Sequence, residues 1–580
     1  MPGPIVPTIH VPARRIATAL LLAALLAATL QPLLAASRPA LRAPNGIVVG
    51  PVPRASAIGA EVLRGGGNAI DAGVAVAFAL SVTYPLAGGL GGGGFLLYRA
   101  TGPQYHALDF RETAPADLGP ELFLDEDGRP VPGLSLQSGL AVGVPGTVAG
   151  LAEAHRRWGS RPWAELLGPA IALAEEGFPI DAWLAFTLSD SADKLLADPE
   201  ARKIFAPAGR ALQEGELLVQ TELAQTLRHV AETGAEGFYG GPVADSIVAT
   251  VRRAGGVLAV GDLAGYQPKM REPIAGSYRG YRVVTFPPPS SGGVALLQML
   301  GTLERYDLRS AGPGSSLAVH LMAEVERRAF ADRARWLGDP DFIEVPVSRL
   351  LDPSYLARRA ATIRPDRATP SRSIAPGDVL PGGLGETLHF SVADPSGGAA
   401  AFTMTLNQWY GTGIVAPGTG VLLNNEVDDF SIAPGSPNTY GLTGGEANGV
   451  FAGKRPLSSM APTIVERPGG GPRPALVIGT PGGSTIPTTI LQVLVNVIDH
   501  GMEIQEAVDA PRFHHQWQPD KIRHERRALP ADVMINLVVR GHSLEPSERP
   551  LGNANVIALD ADGAWRGAAD PRRRGAAAGY

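Results

Sequence analysis

A chain without cysteine has no thiol nucleophile, no thiolate metal ligand and no disulfide. Covalent chemistry must then come from a hydroxyl, which is weak until a base removes its proton. Thr387 is set apart by its surroundings. It follows a stretch rich in glycine and proline, Asp366 to Glu386, and opens a segment of alternating apolar residues. By type alone it would be an ordinary β-former at a strand start. Arg111 offers either a bidentate grip on a carboxylate or a local salt bridge to Asp109 or Glu112. Glu426 and Asp429 could accept from a cation or form a solvated turn. Pro481-Gly482-Gly483 reads as a turn whose backbone N–H groups could serve a developing oxyanion. Other features read as bland. The glycine run 91–94 lacks the Gly-Lys-Ser/Thr ending of a phosphate loop. His514-His515 has no framing metal motif, and Arg572-Arg573-Arg574 reads as a solvated charge run.

The elements that must position these residues follow from hydrophobic period. Residues 53–83 are helical in pattern, with a stop and restart at Gly65-Gly66-Gly67-Asn68. Phe95 to Tyr98 and Tyr105 to Phe110 read as strands, and 146–360 as mostly helical with a proline-rich interruption at 287–293. After the Asp366–Glu386 loop the period becomes two. Thr387 to Asp394 and Ala399 to Leu406 form a hairpin around Pro395-Ser396-Gly397-Gly398. A loop of about three to five residues leaves Thr387 opposite Thr405, Leu406 or Asn407, on a strand about 4.8 Å away. A slip of one residue changes the face, so these three remain alternatives. An apolar helix follows over Ile486 to Asp499. Strands packed with long helices indicate a layered α/β or α+β protein.

Composition narrows the function. The 580 residues carry a net charge of −6, which argues against a nucleic-acid footprint. A hydrophobic share of 45% against 18% charged fits a globular chain. At the N-terminus, Arg14 and Arg15 precede the apolar stretch Ile16 to Leu30 and the small residues Ala35, Ala36 and Ser37. This reads as a signal peptide over 1–36, hence a periplasmic or secreted protein. An uncleaved membrane anchor is the alternative.

Several stretches, in order, match one family. They include Gly67 to Ala72, the glycine run into Phe95, Leu108 to Pro115, Val144 to Thr147, Pro287 to Gly293, and Ala331 to Phe342. They continue through Thr387 to Ser391, Leu422 to Phe430, Lys454 to Met460, Pro481 to Ser484, and Ala510 to Trp517. On these residues the chain, from about 45 to 580, resembles the γ-glutamyltransferases (glutathione hydrolases) of the N-terminal-nucleophile hydrolase superfamily.

The resemblance implies an α+β fold, a four-layer αββα sandwich built jointly by two subunits. It implies a precursor that cuts itself between Glu386 and Thr387 into a large subunit, 37–386, and a small one, 387–580. Thr387 becomes the nucleophile with its own α-amine as base, and Thr405 positions it. Gly482 and Gly483 form the oxyanion pair. Arg111, Ser458 and Ser459 take the substrate α-carboxylate; Asn407, Glu426 and Asp429 take the α-ammonium; Tyr440 belongs to a lid within 429–448. The family's usual second threonine is here Leu388. No cofactor or metal is implied. Substrates would be glutathione and related γ-glutamyl compounds, with water or an amino acid or peptide as acceptor. The rival readings are an N-terminal-threonine acylase of the cephalosporin or glutaryl type, and a catalytically silent secreted protein of the same fold.

Overall fold

The computed structural model describes residues 37–374, 387–433, 438–442 and 444–580. The leader reading for 1–36 and the Glu386 side of the expected cut lie outside them. The chain divides into Met1–Pro39, of which residues 37–39 are described, and Ala40–Tyr580, which carries every described helix and strand.

The expected helix break is present. Helix α1 (Pro53–Arg64) stops at the glycines, and α2 (Ala69–Thr83) restarts with a capping box. Asn68 Oδ1 accepts from the backbone N–H groups of Ile70 and Asp71, while Asp71 Oδ2 accepts from Asn68 N at 2.9 Å. Every residue of α2 is buried, as its unbroken apolar composition requires.

Two seven-stranded antiparallel sheets organise the chain, with helices packed against them, an α+β architecture. The first contains β1 (Ile47–Gly50), β2 (Gly93–Arg99), β3 (Tyr105–Phe110), β4 (Thr387–Ala393) and β5 (Ala399–Thr405). Its order is Ala576–Gly579, β1, β4, β5, β2, β3, Lys269–Arg271. The second includes β6 (Thr463–Glu466), β7 (Leu476–Gly479) and β8 (Asn555–Leu559). Its order is Leu41–Ala43, Trp565–Ala569, β8, β7, β6, Tyr281–Thr285, Ile274–Tyr278. The β4–β5 hairpin pairs Thr387 with Thr405, and Ala393 with Ala399. Of the three partners the sequence left open, the register selects Thr405.

Strand alternation sorts side chains into two cores. Leu96, Phe390 and Phe402 join the α2 side. Phe95, Leu97 and Ala401 join Ile464, Val477 and Val556 of the second sheet, together with helices α3 (Gly292–Leu303), α4 (Ser316–Trp336) and α5 (Thr485–Ile498). Thr387, His389 and Ser391 share the face toward the second sheet. There Ser391 Oγ donates to Asn555 O at 3.0 Å, and Asn555 Nδ2 donates to His389 O at 2.8 Å.

The stretch 146–360 is mostly helical as expected, and it also holds the short strand Lys269–Arg271, paired with β3, and a local hairpin of Ile274–Tyr278 with Tyr281–Thr285, whose second strand pairs with β6. Two readings need correction. The described part of the Asp366–Glu386 loop is tied down rather than wholly exposed. Trp517 Nε1 donates to Ser371 O at 3.0 Å, and Ser371 is buried. Arg572 is likewise not solvated: it pairs with Glu525 and with buried Asp570, and Arg573 is buried. Among the described residues, no helix is long and apolar enough to cross a membrane.

Candidate active site

Thr387 and Thr405 face one small cavity lined also by Arg111, Glu426, Asp429, Tyr440, Ser458, Ser459 and Gly483. Residues more than 300 positions apart therefore meet around one hydroxyl. The glycine run explains part of the convergence. A Cβ at Gly92 would lie 2.1 Å from Thr405 O, and one at Gly91 would lie 2.0 Å from Leu422 O. Only bare backbone permits that approach, which brings β2 against the segment leading to Glu426.

Thr405 Oγ1 accepts from Asn407 N at 2.8 Å. That bond helps hold Asn407 in a left-handed conformation, φ 74°, which asparagine tolerates better than most residues. The Asn407 amide donates to Asn425 O at 2.7 Å, and its carbonyl oxygens accept from the Tyr440 hydroxyl. Tyr440 thus bridges its own segment to the strand end beside Thr387.

The charged groups bind one another. Arg111 contacts Glu426 through Nη1 and Asp429 through Nη2, the latter at 2.6 Å, and its Nε donates to Pro456 O at 3.2 Å. The salt-bridge alternative within Asp109–Glu112 is not the main one. Glu112 is 3.8 Å away, and Asp109 accepts from the Arg111 backbone N–H. Glu426 and Asp429 sit in a buried 3₁₀ turn, not a solvated one. Burial opposes the Arg111 charge, but Glu426, Asp429 and Glu112 outweigh it and hold the guanidinium protonated. Burial also raises the carboxyls of Glu426 and Asp429, an effect that Arg111 counters. Ser458 Oγ accepts from Met460 N at 3.1 Å, and Ser458 O accepts from both the N–H and the hydroxyl of Ser291.

Gly482 and Gly483 lie just before α5, with φ 132° and 53°. A Cβ on Gly483 would fall 2.7 Å from the Tyr440 ring, so glycine is required by both conformation and space. The N-terminal end of a 14-residue helix favours negative charge. Gln516 joins this turn to the Tyr440 segment. Its amide donates to Tyr440 O and Gly441 O, and its Oε1 accepts from Ser484 Oγ at 2.7 Å.

Two charged residues of the surroundings were not among the residues expected at the site. Glu112 is fully buried, neither of its carboxylate oxygens has a hydrogen bond, and burial pushes its carboxyl up to about 7. Arg333 donates to Ser291 Oγ at 2.9 Å, and burial lowers it to about 10 against the opposing pull of Asp429. Both lie inside matched motifs, Leu108 to Pro115 and Ala331 to Phe342, and that was the available signal.

Possible metal ligands are committed elsewhere. His514 bonds Thr488 and Gln516, and His515 faces Asp520. The buried group His320, Glu324 and His542 spends its ligand atoms on a hydrogen-bond chain. His320 and His542 share a 2.7 Å bond, Glu324 accepts from Arg328 and Thr369, and the Arg327 guanidinium stands 3.5 Å from His542 Nδ1. A cation there would meet that guanidinium.

Comparison with known proteins agrees with the geometry. The family model described as Gamma-glutamyltranspeptidase matches residues 55–580. A glutathione hydrolase proenzyme of Escherichia coli (strain K12) is 46% identical, covering 92% of this chain and 91% of its own. One of Pseudomonas sp. (strain A14) is 44% identical, covering 97% and 98%. Among solved structures, a cephalosporin acylase from Bacillus halodurans superposes with a TM-score of 0.83 at 31% identity, over 95% of this chain and 98% of that one. With the Thr387–Thr405 hairpin, an ion-paired cavity and this similarity along nearly its whole length, the chain belongs to the gamma-glutamyltranspeptidase family.

Proposed function

We propose that this protein is a self-processing γ-glutamyl hydrolase and transferase acting on glutathione and related γ-glutamyl compounds. The observation that carries the reading is Arg111, buried and shared between Glu426 and Asp429 in the cavity that Thr387 faces. An L-glutamyl head group carries one α-carboxylate and one α-ammonium. On binding, the carboxylate takes the Arg111 guanidinium with Ser458 and Ser459, and the ammonium takes Glu426, Asp429 and Asn407. Each buried charge exchanges one partner for another, so none is left alone in a low-dielectric site. The free space, about 10 Å³, is at most about that of one buried water, for which roughly 10–15 Å³ is needed. Substrate entry therefore requires these ion pairs to part.

In the precursor, Thr387 Oγ attacks the Glu386 carbonyl carbon. The C–N bond breaks as an ester forms on Oγ, freeing the Thr387 α-amine, which takes the Oγ proton; water then hydrolyses the ester to the Glu386 carboxylate and restores the hydroxyl. That amine then accepts the Oγ proton as Oγ attacks the γ-carbonyl of substrate. The N–H groups of Gly482 and Gly483 receive the oxyanion. The leaving amine takes the proton, and water or an amine acceptor resolves the ester. Thr405 orients the nucleophile, and Tyr440 closes the cavity. The subunits would be 37–386 and 387–580, with 1–36 a signal peptide that sends the protein to the periplasm or outside the cell. The layering of helices against two facing sheets supports the four-layer αββα reading.

Likeness to an acylase keeps the glutaryl rival specific. A glutaryl group lacks the ammonium and would leave Glu426 and Asp429 without their second partner. Intact mass and N-terminal sequencing should give two fragments, the smaller beginning Thr387-Leu388-His389, and that sample should release amine from a γ-glutamyl anilide faster than from a glutaryl anilide. A preference for glutaryl would transfer the chain to the acylases, and one inactive uncut chain to the silent fold. Thr387→Ala should remain a single inactive chain.

A further inference from the structure

One buried side chain, Gln516, joins two segments that meet at the cavity from different parts of the chain. Its amide nitrogen donates to Tyr440 O at 3.1 Å and to Gly441 O at 3.2 Å. Its Oε1 accepts from Ser484 Oγ at 2.7 Å and from Arg523 Nη2 at 3.3 Å, and lies 2.9 Å from His514 Nε2. These partners fix which way round the amide stands. Backbone carbonyls only accept and a guanidinium only donates, so the nitrogen faces Tyr440 and the oxygen faces Ser484. His514 Nε2 then carries the proton, and the Thr488 hydroxyl donates to Nδ1 at 2.8 Å. Both N–H groups and the carbonyl oxygen of the amide are therefore engaged, the donor side on one segment and the acceptor side on the other.

Aiming that amide strains the next residue. Trp517 holds φ 68°, a left-handed conformation that is an outlier for a bulky side chain. Such strain persists where the surroundings over-determine it. Trp517 N donates to His515 Nδ1 at 3.0 Å, its indole Nε1 donates to Ser371 O at 3.0 Å, and its ring joins the buried cluster of Phe330, Ile374, Tyr440 and Leu442. On the other side of the amide, Ser484 directly follows Gly482 and Gly483, and a Cβ on Gly483 would fall 2.7 Å from the Tyr440 ring. Tyr440 is thus held at its hydroxyl by Asn407 and at its backbone by Gln516, with its ring against the glycine turn. Among the described residues, no hydrogen bond runs from Gln516 to Arg111, Glu426 or Asp429.

Resting on the γ-glutamyl hydrolase reading, we propose that Gln516 is a positioning residue that locks the Gly482-Gly483 turn to the Tyr440 segment, so that the N–H groups of the turn are aimed at the developing oxyanion while Tyr440 is seated over the cavity. Preorganised donors act on charge that develops in the transition state. Looseness in the turn therefore appears in kcat, whereas KM, set by the head-group ligands that Gln516 does not touch, stays nearly as it was.

The test reads γ-glutamyl anilide hydrolysis in a set of variants, with kcat counted per cut chain. Gln516→Leu removes both sides of the bridge and should lower kcat about 10-fold with KM within about 2-fold, less than the loss of an oxyanion donor because the N–H groups are displaced and not removed. Gln516→Glu keeps an acceptor toward Ser484 and Arg523 but, once ionised, has no donor for the two carbonyls. It should show the same split between kcat and KM, and it replaces the leucine variant should that one not fold. Ser484→Ala and Tyr440→Ala loosen the bridge from its two ends. Their combined kcat loss should stay within about 2-fold of the larger single loss, because each undoes the same coupling. Wild-type kcat in both Gln516 variants, a loss carried by KM instead of kcat, or losses that multiply in the Ser484–Tyr440 double variant would overturn the proposal. Absence of anilide release from the wild-type protein would instead overturn the hydrolase reading, and this inference with it.

Discussion

Thr387 and Thr405 are direct partners across the open end of the β4–β5 hairpin, with both side chains facing the second sheet. A nucleophile at the end of a strand has one neighbouring chain fixed by backbone pairing and its other side open to substrate. Thr405 also accepts from Asn407 N, so the residue opposite Thr387 also holds the turn that the Tyr440 hydroxyl meets.

Thr405→Val keeps the β-branched shape and removes that hydroxyl. Self-cutting should slow and kcat should fall by about 10–100-fold, the effect of about 1–3 kcal/mol from an unsatisfied buried partner, with KM little changed. A time course of fragment appearance and anilide kinetics measure both. Wild-type rates in the variant would remove Thr405 from any positioning role.

Arg111 spans two carboxylates with two different nitrogens, which a lysine ammonium does not reproduce. Arg111→Lys should fold less stably and raise KM for a γ-glutamyl anilide by about 10–100-fold. Asp429→Asn removes one negative charge facing the expected ammonium. The ratio of γ-glutamyl to glutaryl hydrolysis should then fall by about 10-fold, and an unchanged ratio would separate Asp429 from head-group recognition.

Glu112 holds its proton more tightly in the folded chain, chiefly through burial. Between its ordinary value of 4.5 and about 7, the folded state binds more protons than the unfolded one. Stability from this group is therefore present below that window and is lost as pH rises through it, by up to about 1.4 kcal/mol per pH unit. Glu112→Gln, which cannot ionise, should flatten the dependence. Urea midpoints at the two ends of the window measure it; parallel curves for both proteins would show that Glu112 is already ionised at the lower end.

Gly483→Ala forces a side chain onto the Tyr440 ring in a left-handed conformation. The turn must shift, moving an N–H away from the position proposed for the oxyanion. A kcat loss of about 100–1,000-fold follows if that donor is lost, with cutting of the precursor slowed in parallel. Normal cutting together with a large kcat loss would assign the two reactions different oxyanion donors.

Features written in short stretches were legible without a structure. The helix break at Gly65 to Asn68 depends on a capping box four residues long. The hairpin depends on alternation within twenty residues, and Thr387 stood out because a loop and a change of period meet there. Arg111, Glu426, Asp429 and the glycine pair became site residues only through the family's motif order. Local pattern could not say whether Arg111 pairs with a neighbour or with a distant acid.

The tertiary structure decided the rest. Backbone pairing chose Thr405 over Leu406 and Asn407, because a one-residue slip reverses every side chain and the two cores accept only one orientation. Packing brought Arg111 to Asp429 across 318 positions and buried Glu112 beside them without a hydrogen bond, a cost that no window of sequence displays. The short strand Lys269–Arg271 was hidden for the same reason, since its partner is β3. Local residues determine which conformations a segment can adopt, whereas charge pairing, strand register and burial belong to surfaces that exist only once distant segments meet.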